Sequence, residues 1–149
     1  MKWIVIVVGG LVVLVAVVAI AGSMLPRNHV ASRTLRVRRP PPDVWIAITQ
    51  AMSASDVPTD IVERDPPRRL VSRVKETEKM FGGTWTVAIL PVDPSTQAGS
   101  MITITEDGWV ANPIFRFVSR YVMGHHATMD GMLKSVAKQF GEEPSLSGE

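Results

Sequence analysis

The chain has 149 residues, room for one ordinary domain, and 16 Lys and Arg against 14 Asp and Glu leave a net charge of only +2. That balance gives no footing for a nucleic-acid partner. The absence of cysteine excludes a disulfide framework, a thiolate nucleophile and a Cys-based metal site.

From Trp3 to Gly22 there is no charge and almost only Val, Ile, Leu, Ala and Gly. Twenty helical residues span roughly 30 Å, the hydrocarbon thickness of a bilayer. Residues 1–24 are therefore expected to be a single transmembrane anchor. A cleaved signal peptide is the rival, since Ala19-Ile20-Ala21 before Gly22 resembles a small-residue cleavage site. The apolar run exceeds the usual h-region of about 7–15 residues, which favours the anchor. Lys2 stands alone before the run, while Arg27, Arg33, Arg36, Arg38 and Arg39 follow it. The positive-inside rule then places the folded part in the cytoplasm, on a single-pass membrane protein. Basic residues beside an anchor suit anionic headgroups, so membrane lipid is the first expected partner.

Residues 25–32 read as a polar linker containing Pro26, and residues 33–141 as the folded domain. Thr34–Arg38 alternates apolar and charged residues, as a strand with one buried face does. Pro40-Pro41-Pro42-Asp43 opens a short helix whose Val44, Trp45, Ile48 and Met52 recur at helical spacing. Four strands are expected next. Thr59–Arg64 and Arg69–Lys75 flank the turn Asp65-Pro66-Pro67, and Thr84–Leu90 and Met101–Glu106 form a hairpin across the polar turn Pro94–Gly99. After Asp107-Gly108 the period changes. Asn112-Pro113 suits an N-cap and first helical position, and Ile114, Val118, Tyr121, His125, Met129, Met132, Val136 and Phe140 share one face. A long helix ending at Gly141 is expected, with residues 142–149 a disordered tail. The fold class is α+β, the sheet's apolar face covered by that last helix.

The run Phe81-Gly82-Gly83-Thr84-Trp85-Thr86, then Thr103–Gly108, Asn112-Pro113 and Arg116–His125, resembles the START/polyketide-cyclase-like (SRPBCC) superfamily. The turn Asp65–Leu70 fits the same pattern. The resemblance covers roughly Arg33–Gly141 and is strongest to membrane-anchored bacterial members of unassigned activity. It implies a helix-grip fold, a curved antiparallel sheet around a long C-terminal helix, with a cavity that in many members holds a lipid or another apolar molecule. The cavity residues it implies are Trp85, Val87, Ile89, Ile102 and Ile104 from strands and Val118, Tyr121, His125 and Met129 from the helix. Only Ala51–Val57 stands where such domains carry a further helix and two strands. A truncated sheet of five strands is thus expected, in the order first, fifth, fourth, third, second. Its edge, residues 59–64, is left open to a second chain, with a homodimer as one outcome.

No catalytic motif stands out, and no cofactor or metal is expected. His125 and His126 point about 100° apart on a helix and cannot chelate together; His126 and Asp130 are placed to share a surface hydrogen bond. Arg116 and Arg120, one turn apart, suit an anionic headgroup, or else an ion pair with Glu106 or Asp107. Met123, Met129 and Met132 read as core or as an adaptable pocket wall. Gly82-Gly83 reads as a turn rather than a phosphate loop. Trp109 belongs either at the bilayer interface or over the core. The leading expectation is a non-enzymatic, membrane-anchored module for a lipid or other apolar small molecule. An assembly module using the open edge comes second, and a cyclase-like enzyme using Tyr121 and His125 third.

Overall fold

A computed structural model of the protein describes residues 2–148 apart from 56, 76–79, 97 and 125, with the backbone alone of Met123. The alternating segments become an antiparallel sheet. Its strands are β1 (Asn28–Val37), β2 (Thr59–Asp65), β3 (Arg69–Val74), β4 (Phe81–Pro91), β5 (Ser100–Val110) and β6 (Leu146–Ser147). They lie in the order β2-β3-β4-β5-β1-β6, an open sheet. The first five follow the expected order, and the β4–β5 hairpin forms as expected. In its turn, Asp93 Oδ1 accepts from the Ser95 amide at 2.8 Å and hydroxyl at 2.6 Å, which hold the Asp93 carboxyl below the usual carboxylate range.

Several strands outrun the sequence pattern. β1 starts at Asn28, because all ten of its residues pair with β5, from Asn28↔Trp109 to Val37↔Ser100. The expected linker 25–32 shrinks to Met24–Arg27. Gly82-Gly83 is not a turn but lies inside β4, opposite Trp109 and Gly108. Gly83 has φ +153°, and a Cβ there would lie 2.4 Å from the Asp107 carbonyl oxygen, so only glycine lets β4 and β5 approach at this point. The tail, expected to be disordered, supplies β6. Leu146 pairs with Leu35 and packs against the core, and the Glu142 carboxylate accepts from the Arg38 amide at 3.1 Å. This caps an edge whose backbone groups would otherwise lack partners.

Among the described residues, four α-helices and one π-turn complete the chain. α1 (Lys2–Ser23) is long and apolar enough to cross a membrane, and none of its apolar window is buried. α2 (Pro41–Ser53) begins on the prolines and Asp43, and buries Val44, Trp45, Ala47 and Ile48. The expected long C-terminal helix also changes, and is two pieces. α3 (Pro113–Val118) is capped by Asn112, whose Oδ1 accepts from the amides of Ile114 at 2.8 Å and Phe115 at 3.3 Å. It runs into a π-helical turn (Ser119–Met123), and Gly124 then leaves the helical region at φ 74°, ψ 141°. α4 (Ala127–Gln139) follows and stops before Gly141, in the left-handed region at φ 69°. The break separates two tasks: α3 lies against α1, while α4 packs against α2 and β1.

The core lies between the sheet, α2 and α4. Leu35, Ile48, Val87, Ile89, Ile102, Ile104, Met129, Leu133 and Val136 are all 0% exposed. Arg33 on β1 clamps α4 from the side, its Nε donating to Asp130 Oδ1 at 3.0 Å. Asp130 is therefore the partner of Arg33, and not of His126 as the i,i+4 spacing suggests.

Candidate functional site

Because α4 covers one end of the concave face and α3 leans away toward α1, the other end of the sheet is left hollow. A cavity of about 430 Å³ lies there between the Phe81–Trp85 end of β4, the Glu106–Val110 end of β5 and the α3/π-turn segment. Its walls are mainly apolar, from Val57, Val74, Met80, Phe81, Trp85, Trp109, Val110, Phe115 and Val118. Gly82 shapes one wall: a Cβ there would meet the Trp109 ring at 3.0 Å, so the indole can lie flat across the strand. Both the volume and the apolar lining suit a small-molecule site.

Besides the hydroxyls of Ser119 and Thr128, three polar groups interrupt this lining. Trp85 is 3% exposed, yet its indole N–H has no partner among the described residues. Buried indole N–H groups normally find an acceptor, whereas this one stays unpaired inside the cavity wall, its nitrogen closed to a water-sized molecule. His29 and Glu106 form the other two. They stand diagonally across β1 and β5, with His29 Nε2 3.4 Å from Glu106 Oε1, and both side chains are mostly shielded from solvent. Gly108 makes room for this pair, since a Cβ there would lie 2.9 Å from His29 Cε1 and 3.3 Å from Glu106 Oε1. An imidazole beside a carboxylate in a shielded site can hold a ligand hydroxyl or exchange a proton with it.

The residues expected around a ligand divide sharply. Trp85 and Val118 line the cavity. Val87, Ile89, Ile102, Ile104 and Met129 are packed into the core beyond it. Tyr121 is 63% exposed, its ring 5.0 Å from that of Phe117 on the outer side of the π-turn. His125 lies outside the described residues, as does the side chain of Met123. Met132 is core. Trp109 sits in β5 and walls the cavity, not in a loop. His29 went unseen in the sequence, and Glu106 was read only as an ion-pair partner for the arginines, although it continues the inward set Ile102, Ile104.

Arg116 makes no ion pair with a carboxylate among the described residues. Its guanidinium donates to the carbonyls of Leu25 at 2.9 Å and Ala111 at 2.8 Å, and reaches that of Gly22 at 3.5 Å. The Gly22 carbonyl lies in the last turn of α1, where a cation complements both the orphan acceptors and the helix dipole. Arg120 is exposed.

No family model matches the sequence, and no curated protein matches it. Solved structures do. One is a conserved protein from Geobacillus kaustophilus, at 9% identity over 79% of this chain and 99% of the other, TM-score 0.61. A second is a point mutant of norcoclaurine synthase from Thalictrum flavum, at 13% identity over 76% and 96%, TM-score 0.51. A third is an HSP90 activator from Plasmodium falciparum, at 12% identity over 80% and 100%, TM-score 0.50. The fold is of the Bet v 1/SRPBCC type. At such identities the likeness is one of architecture, and function rests on the site.

A second concavity, about 870 Å³ and more open, runs between the end of α2 and the edge strand β2. Along that edge Ile61 and Val62 are 59% and 53% exposed, beside a bulge between Ile61 and Glu63.

Proposed function

We propose that this chain is a single-pass membrane protein whose SRPBCC-type domain, on the cytoplasmic side, binds a lipid or other apolar small molecule in the 430 Å³ cavity. One observation carries the reading: a hollow of about 430 Å³, the size of a small-molecule site, is walled mainly by apolar side chains. A mainly apolar ligand with one polar group toward His29 and Glu106 would suit that lining. Among the fold relatives, norcoclaurine synthase has been seen with dopamine and hydroxybenzaldehyde. The apolar α1 and the arginines that follow it favour a membrane setting with this orientation.

The full chain, purified in mild detergent and denatured in organic solvent, is expected to release a stoichiometric small molecule detectable by mass spectrometry. Val118→Trp, which fills the hollow from its wall, is expected to abolish that release. Empty protein in both samples would overturn the ligand reading.

The exposed edge favours a second reading, in which a partner strand completes the sheet at β2. Ile61→Lys is then expected to convert a dimer into a monomer in light scattering. A monomer before the change would remove this reading.

A further inference from the structure

The end of α1 does not hang free below the domain. Lys2–Val17 are exposed throughout, but Val18, Ala19 and Ala21 are half-buried and Gly22 is buried. The cover is α3. A Cβ on Gly22 would fall 1.9 Å from the Pro113 carbonyl oxygen, so the two backbones touch. Arg116 then ties α3 to the carbonyls of Gly22 and Leu25.

This contact fixes a depth. Val18 lies five residues before the end of α1, about 7–8 Å along its axis. If α1 fills the hydrocarbon core, α3 is held at the boundary between acyl chains and headgroups. The exposed side chains there suit that boundary. Ile114, Phe115, Tyr121 and Val122 are 38%, 52%, 63% and 72% exposed, and Phe81 on the adjoining strand end is 44% exposed. Large apolar groups so clustered are costly in water and favourable in an interface, where an aromatic belt and a neighbouring cation such as Arg120 are usual. Phe81 and Phe115 also wall the cavity.

We propose that α3 and the π-turn form an interfacial foot, seated in the leaflet that α1 leaves, so that the cavity is entered from the membrane and not from water. The proposal rests on α1 crossing the bilayer, and its test separates the two. The natural chain has no cysteine. Single cysteines at Val122→Cys, Tyr121→Cys, Val12→Cys and Leu90→Cys can therefore carry an environment-sensitive fluorophore one at a time. The full chain is placed in phosphatidylcholine–phosphatidylglycerol vesicles containing lipids with a nitroxide at a shallow or a deep position. Leu90, 53% exposed, lies at the other end of β4 from Phe81, about 30 Å away.

The label at Val122 or Tyr121 should be quenched more by the shallow nitroxide, that at Val12 more by the deep one, and that at Leu90 by neither. Quenching at Val12 without quenching at Val122 and Tyr121 overturns the foot while leaving the anchor. Absence of quenching at Val12 overturns both. A blue-shifted Val122 or Tyr121 label that neither nitroxide reaches means a protein covers the patch, which also overturns the foot.

Discussion

Truncation of Ile104 to alanine is expected to lower the unfolding free energy by about 2–5 kcal/mol, the usual range for emptying a close-packed aliphatic site. Ile104 is 0% exposed and sits among side chains of the sheet, α2 and α4 that are themselves inaccessible. Its neighbours cannot collapse into the gap without moving whole elements, so the cost should fall in the upper half of that range. Val118→Ala provides the contrast. Val118 is only half-buried and borders the hollow, so truncation there removes few contacts and should cost about 1 kcal/mol or less. Urea unfolding of the detergent-solubilised chain, followed by tryptophan fluorescence, measures both. Comparable losses at the two positions would contradict the division into a solid half and a hollow half of the same concave face.

Arg116→Ala should have the second large effect, confined to the junction between α1 and the domain. Hydrogen bonds to a charged group contribute about 1.5–3 kcal/mol each and are not additive, so the loss of three is expected to weaken the junction by roughly 2–4 kcal/mol. Three carbonyls would also be left to find water at a partly buried site. Lysine should not rescue. A single ammonium cannot present the planar fork that serves carbonyls on α1, the link and the β5–α3 loop together. Hydrogen exchange is the direct measurement: amides of residues 22–28 and 113–118 should lose protection while those of β4 keep it. Unchanged exchange at residues 22–28 would mean that packing of Gly22 on Pro113 holds the junction alone.

Most of the architecture was legible because alternation and helical spacing are written locally. Trp85, Val87 and Ile89 against Thr84, Thr86 and Ala88 identify β4 without any partner in view. What escaped depends on contacts distant in sequence. Asn28–Ser32 has no strong alternation and becomes strand through its pairing with β5. The His29–Glu106 pair joins residues 77 apart, and only the register of β1 against β5 brings them together. The parity of Ile102, Ile104 and Glu106 is the one local hint of it. The interrupted helix escaped for a different reason. A glycine inside a helix costs only about 1 kcal/mol, so an apolar period can run across Gly124 without betraying the break. The break accompanies the packing of α3 on α1 and of α4 on α2 and β1, contacts that no window of sequence contains. The SRPBCC resemblance was right about the antiparallel sheet but implied one long helix where two pieces stand.

The four-residue link Met24–Arg27 sets how far this domain can travel. Even fully extended, such a link reaches about 14 Å, and Arg116 holds it short of that. With α1 embedded, the molecule has no slack with which to swing to an opposing bilayer. Any cargo would be picked up and dropped by lateral diffusion within one sheet of lipid, and a soluble carrier would have to collect it for transport elsewhere.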